Sequence, residues 1–142
     1  MLLIETALRE SAIHGIGLFC VEAIPRGTKV WEFNPLFDQV VDEALLHTLP
    51  PAMHTFLKMY AYRAVEDNAL YINLDLSRHM NHSATPNLIM DTDSSYYAAH
   101  DIAAGTELTC DYREFSQEGC EGFIQVGQYE QLAADAVRSV GL

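Results

Sequence analysis

Hydrophobic and polar positions change their spacing several times along the chain, and each change marks an element. Residues 2 to 8 and 17 to 24 are short apolar-rich runs that predict strands. The second runs into Ile24-Pro25-Arg26-Gly27, turn residues that reverse the chain, and residues 28 to 33 resume as a strand. After Val41 the pattern becomes helical. Asp42 suits the N-cap of Glu43-Ala44-Leu45-Leu46, and Pro50-Pro51 stops that helix and starts another. In the second helix Met53, Phe56, Leu57, Tyr60, Ala61 and Ala64 recur at helical spacing and predict one buried face reaching residue 64.

Residues 69 to 74 alternate weakly as a strand, whereas residues 77 to 87 have no period and read as an ordered irregular loop. Strands are expected at 88–91, 95–100 and 107–111, with a turn at Ala103-Ala104-Gly105 between the last two. The chain ends in a predicted helix with Tyr129, Leu132, Ala133, Ala136, Val137 and Val140 on one face. Many short strands broken by one helical insert give an α+β fold, mainly β, in one domain spanning 1–142. The insert covers about 42–64.

At 142 residues the chain is long enough to enclose one core, and 49% hydrophobic with 20% charged residues excludes collagen-like and wholly disordered classes. Acidic residues outnumber Lys plus Arg by 20 to 8, a formal charge of −12 that repels nucleic-acid phosphates and anionic lipid and favours a basic partner. Solvation alone explains much of such acidity. Cys20, Cys110 and Cys120 form no CxxC pair and leave one thiol over in any disulfide scheme, which points to a reducing compartment. The expected location is the cytoplasm, or the nucleus of a eukaryotic cell or host. Met1-Leu2-Leu3-Ile4 is soon interrupted by charge, so no signal peptide is expected, and no apolar run approaches the ~18 residues of a membrane helix.

Three segments carry chemistry. His14-Gly15-Ile16-Gly17 sets two glycines just before a strand, where a missing Cβ admits close approach to the backbone; a bare turn is the plainer reading. Arg78 to Asn87 packs two amides, two imidazoles and two hydroxyls around a proline, a composition that suits a self-satisfying hydrogen-bond network. A metal site from His79, His82 and His100 is the weaker alternative, because histidines three apart outside a helix share no fixed face. Gly105-Thr106-Glu107-Leu108-Thr109-Cys110-Asp111-Tyr112 is a turn and strand ending in a tyrosine suited to half-buried packing.

In this order the segments resemble a SET domain of the protein-lysine methyltransferase family. His14 to Phe19 match its G-x-G-L-F segment, Ile24 to Gly27 its I-x-x-G turn, Arg78 to Asn87 its R-F-x-N-H-S-x-x-P-N loop, and Gly105 to Tyr112 its G-x-E-L-T-x-D-Y end. The resemblance implies small curved sheets with a core at 10–112, a C-terminal pseudoknot joining Asn81-His82 to Tyr112, and a lid in 113–142. It implies S-adenosyl-L-methionine as cofactor, held by Gly15, Ile16, Gly17, Leu18, Arg78, Asn81 and His82, with Phe123 against the adenine. Tyr112 would be catalytic, and Tyr71 and Cys110 would line a substrate channel. The implied partner is a basic protein or peptide, histone-like or ribosomal, with no direct contact to nucleic acid or membrane.

Two departures qualify the resemblance. Ala84 stands where many members have a zinc-binding cysteine, so no metal is expected. Cys110 stands where the family often has Phe or Tyr, and its smaller side chain leads to an expectation of di- or trimethyllysine. The alternative from another class is a catalytically silent SET-fold binding module.

Overall fold

The computed structural model describes residues 1–117. Its strands are β1 (Thr6–Glu10), β2 (Ile16–Cys20), β3 (Lys29–Trp31), β4 (Asp38–Val40) and β5 (Tyr62–Arg63), then β6 (Leu70–Asn73), β7 (Asn81–His82), β8 (Leu88–Met90), β9 (Tyr96–Ala98) and β10 (Thr109–Cys110). One α-helix, α1 (Pro51–Tyr60), and three 3₁₀ turns complete the described chain. The α+β, mainly β reading of the sequence holds.

The strands form four small sheets. β1 and β2 are an antiparallel hairpin, β3-β9-β8 and β4-β6-β5 are antiparallel three-stranded sheets, and β7 pairs with β10 in parallel. Gly15 makes the β1–β2 turn possible, since its φ of +50° is a left-handed conformation that glycine adopts without a Cβ penalty.

The main core joins β2, β3, β8 and β9 to the segments around residues 102 to 110. Leu18, Val30, Leu88 and Leu108 are completely buried in it. Each contributes about 1.5–3 kcal/mol over leaving it in water. A second cluster of Leu46, Leu57, Ala61, Leu70 and Ile72 anchors the insert onto the β4-β6-β5 sheet.

The insert departs from its helical pattern in two ways. Its first half, Glu43–Thr48, is a 3₁₀ turn in which the Asp42 carboxylate accepts from Ala44 N–H at 3.0 Å, so the N-cap is as expected. The helix reaches only Tyr60, not residue 64. Ala61 is extended, its N–H closes the last turn on Leu57 O, and Tyr62 and Arg63 leave to pair with Tyr71 and Leu70. Strand pairing with β6 outweighs helical periodicity there. The predicted C-terminal helix, and the 113–142 lid from residue 118 onward, lie outside the described residues.

Within the aperiodic loop, Leu76–His79 is a 3₁₀ turn capped by Asp75 and Asn81–His82 is a short strand. The remaining polar groups tie this loop to the C-terminal segment. Asn87 donates to Glu107 O at 2.8 Å and accepts from Thr109 N–H at 2.9 Å, filling both ends of its amide. Together with the pairing of Thr109 with Asn81 and Cys110 with His82, this fixes where Tyr112 emerges.

Candidate active site

Asn81 is buried beside the β1–β2 turn. Its amide NH2 donates to His14 O at 2.9 Å, Glu107 Oε1 at 2.9 Å and Ser11 Oγ at 3.1 Å. Ser11 Oγ in turn binds the Glu107 carboxylate at 2.8 and 2.9 Å. With its NH2 fully committed, Asn81 presents Oδ1 as its open end, an acceptor with no bonded partner among the described residues. Gly17 closes the cluster, because a Cβ there would stand 2.2 Å from Glu107 Oε1 and 2.8 Å from its carboxyl carbon. The space that the missing Cβ leaves at this glycine is filled by the protein's own glutamate. Ser11 and the functional side of Glu107 were not singled out from sequence. The Glu107 signal was its place in the final motif; Ser11 offers none.

Tyr112 begins a 3₁₀ turn capped by Asp111. Its hydroxyl donates to Met80 O at 2.6 Å, and its backbone N–H donates to His82 Nδ1 at 3.1 Å. An accepting Nδ1 means a neutral ring with the proton on Nε2. Burial holds the Tyr112 phenol well above its ordinary range, so it stays a neutral donor. Arg113 hydrogen-bonds Asp111 and depresses that carboxyl to about 2.

Tyr112 and Met80 also border a cavity of about 290 Å³ between the β3-β9-β8 and β4-β6-β5 sheets. Trp31, Met90 and Tyr96 line it from one sheet and Tyr62, Tyr71 and Asn73 from the other, with Cys110, Glu114 and Phe115 from the C-terminal segment. The walls are aromatic: Tyr62 stacks on Tyr71 at 5.9 Å between ring centres, and Phe115 meets Tyr62 edge-on at 4.8 Å. Four buried polar atoms in this lining, Trp31 Nε1, Asn73 Oδ1, Arg78 Nε and Tyr96 OH, close no hydrogen bond among the described residues. Burial pushes the Cys110 thiol far above its usual range, so it contributes no thiolate.

The sequence-derived residues therefore fall into two groups. Gly15, Gly17 and Asn81 meet at the β1–β2 turn, with Ile16 exposed next to them. Tyr71, Cys110 and Tyr112 share the aromatic cavity. His82 bridges the two, its strand continuing Asn81 and its ring holding Tyr112. Leu18 and Arg78 have other surroundings. Leu18 is a core residue whose carbonyl is taken by Leu108 N–H at 2.7 Å. Arg78 lies in the cavity wall, its guanidinium over the Phe56 and Tyr60 rings at 5.6 and 5.4 Å. Phe123 lies outside the described residues. No group of three potential metal ligands occurs among the described residues. His79 packs edge-on against Tyr60 while His100 bonds Asp101 O.

The model of the SET domain family matches residues 15–113, most of the chain. No curated protein matches it in sequence. Among solved structures it is similar to a humanized mutant of the Chaetomium thermophilum Polycomb Repressive Complex 2 bound to an inhibitor, with TM-score 0.58 and 21% identity over 80% of this chain and 15% of that one. It is also similar to that complex in an autoinhibited conformation bound to S-adenosylmethionine, with TM-score 0.58 and 18% identity over 95% of this chain and 17% of that one. A third, in complex with H3K27me3 and H3K27M, gives TM-score 0.53 and 25% identity over 77% and 14%. The chain spans only about 14–17% of the length of those chains, and the likeness is one of fold. Matched by that family's model over residues 15–113, the chain belongs to the SET domain family.

Proposed function

We propose that this protein transfers methyl groups from S-adenosyl-L-methionine to a lysine side chain of a basic protein or peptide. The observation that carries the reading is the meeting of Tyr112 OH and Met80 O, 2.6 Å apart, in the wall of an aromatic cavity fit for an extended alkyl amine. When bound, the cofactor supplies a methyl group on a positively charged sulfur. Asn81 Oδ1 would accept from its ammonium, and the exposed backbone of Gly15 and Ile16 with the main chain of His82 would hold the rest. Amide acceptors suit a zwitterion, since they bind it without adding charge.

Transfer to an amine is an in-line displacement, so the protein's task is alignment and the placing of oxygen dipoles. Because Tyr112 donates its proton to Met80 O, the phenol's lone pairs and the carbonyl oxygen face the same region. The His82 ring holds the Tyr112 backbone so that this pair keeps its place. In this reading the parallel pairing of β7 with β10 is the centre of the pseudoknot, and Arg78 belongs to the substrate side. Acidic lining at Glu66, Asp67 and Glu114 with a net charge of −12 supports a basic substrate.

The test is transfer of labelled methyl from S-adenosyl-L-methionine to histones, ribosomal proteins and cell lysates, with the modified residue identified by mass spectrometry. Labelled lysine is expected. Cofactor binding without transfer to any of them would overturn the enzyme reading in favour of a silent binding module.

A further inference from the structure

We propose that Glu114 and Tyr96 form the receiving site for the substrate lysine's ε-ammonium, with the Glu114 carboxylate taking its proton before methyl transfer. The proposal rests on the methyltransferase reading and adds a proton acceptor to it. Both side chains line the aromatic cavity that also holds Cys110 and Tyr112. Tyr96 comes from β9 and is 6% exposed; its hydroxyl faces the Glu114 carboxylate and the Cys110 thiol, yet it closes no hydrogen bond among the described residues. A buried hydroxyl left unmatched at a cavity wall is completed by what enters the cavity.

Glu114 supplies the charge. One of its oxygens accepts from Met90 N–H at 3.3 Å, and no cation among the described residues pairs with it. Its neighbour Arg113 turns to Asp111, at 2.6 Å. The other acids of the lining are engaged: Glu66 takes the Ser94 hydroxyl, and Asp67 takes the Tyr71 hydroxyl and Ala69 N–H. The titratable groups around Glu114 are Tyr96 from β9, Cys110 from β10, Tyr62 from β5 and Tyr112 on its own turn, all of which burial keeps in their neutral, protonated forms. Arg78, the one cation in the described lining, is held over Phe56 and Tyr60. Glu114 is therefore the group in this wall suited to take a proton from a cationic guest.

The step balances. A lysine enters as the ammonium, since its free amine dominates only above about pH 10. One N–H proton passes to the Glu114 carboxylate, leaving a neutral amine and a neutral acid. The amine lone pair then forms the N–C bond as the C–S bond breaks, and its electron pair returns to sulfur. The product is a methylammonium, and Glu114 returns its proton to water. Tyr96 OH accepts a second N–H, which directs the lone pair toward the methyl.

The experiment measures methyl-transfer rate from pH 6 to 10 for the wild type, Glu114→Gln, Glu114→Ala and Tyr96→Phe, on whichever lysate protein the wild type labels. Cofactor binding by calorimetry identifies folded variants. A folded Glu114→Gln or Glu114→Ala is expected to lose about 100-fold at pH 7, within the range of general-base effects. It should regain roughly tenfold per pH unit as solvent supplies the free amine. Tyr96→Phe should lose only a few-fold and keep the wild-type profile. A folded Glu114 variant whose profile runs parallel to the wild type overturns the proposal while leaving the methyltransferase reading intact. Failure of both Glu114 variants to fold would show that the carboxylate holds structure and would also overturn it. No transfer by the wild type at any pH overturns both readings.

Discussion

Replacing Gly17 by alanine tests whether the Ser11-Asn81-Glu107 cluster is the element that builds the cofactor side of the site. The new methyl would lie 2.2 Å from Glu107 Oε1, 2.8 Å from its carboxyl carbon and 3.1 Å from Ser11 Cβ. Contacts below 3 Å force movement, and the group that can move is the carboxylate. Its displacement breaks the bonds from Ser11 at 2.8 and 2.9 Å and from Asn81 at 2.9 Å. Bonds to a charged acceptor contribute about 1.5–3 kcal/mol each when well buried. This cluster is partly exposed, so the loss is about 2–4 kcal/mol for the set. For a chain of this size that corresponds to a fall in Tm of about 6–16 °C.

The decisive assay is a double-mutant cycle by urea unfolding, with Gly17→Ala measured alone and on Glu107→Ala. If the carboxylate is what the methyl strikes, Gly17→Ala on the Glu107→Ala background should cost under ~1 kcal/mol, leaving a coupling of at least ~1.5 kcal/mol. Equal costs in the two backgrounds would refute the reasoning, and the glycine would then be needed for some other reason. Cofactor affinity should fall in the single variant as well, because Asn81 loses one of the acceptors that orient Oδ1.

Tyr112→Phe removes the hydroxyl that meets Met80 O and should cut turnover at least ~100-fold while leaving cofactor affinity within a few-fold, as single-turnover kinetics and calorimetry would show. Asn81→Ala should do the reverse and weaken cofactor binding at least ~10-fold, with the melting-temperature rise at saturating cofactor shrinking accordingly. The Asp111 carboxyl is depressed to about 2, so it is ionised in the fold below the pH at which it titrates in the unfolded chain. Its contribution is present above about pH 4 and is lost as pH falls toward 2. Asp111→Asn should therefore be less stable than the wild type above about pH 5 and show a flatter acid limb, the two converging toward pH 2 in urea unfolding; a parallel acid limb would show that Asp111 stabilises nothing.

Legibility in the sequence followed the range of the forces involved. The 3₁₀ cap at Asp42, the turn before β3 and the β8 and β9 strands rest on neighbours within a few residues, and the pattern located them. β4 escaped because Asp38, wholly buried and accepting from Asn34 N–H at 2.8 Å, interrupts the apolar run that would have announced a strand. The end of α1 escaped because Ala61 and Ala64 continue the helical spacing, and only the distant partners Leu70 and Tyr71 pull Tyr62–Arg63 into a sheet. Asn81, His82 and Asn87 were legible as a motif, yet their work spans 20 to 70 residues of sequence: Asn87 to Glu107, His82 to Tyr112, Asn81 to Ser11. No local pattern encodes such pairings.

Cys110 shows how a site can be legible in residue and illegible in consequence. Its smallness was plain from sequence and suggested room for a second or third methyl. In the fold, Cys110 does line the cavity, but so do Tyr62, Tyr71 and Tyr96, each carried by a different strand or register position. Whether the room survives depends on these rings, whose convergence is a property of three separate sheet segments. Cys110→Tyr separates the alternatives. Cys110 is 3% exposed against the main core and Tyr96, so a phenol there must project into the 290 Å³ space. If that space is what accepts a methylated amine, mass spectrometry over a time course should show the wild type passing monomethyllysine and the variant stopping at it. An unchanged product distribution would mean that Tyr96 and its neighbours already set the limit, since overpacking a wall that does not face the reacting nitrogen costs stability without altering the product.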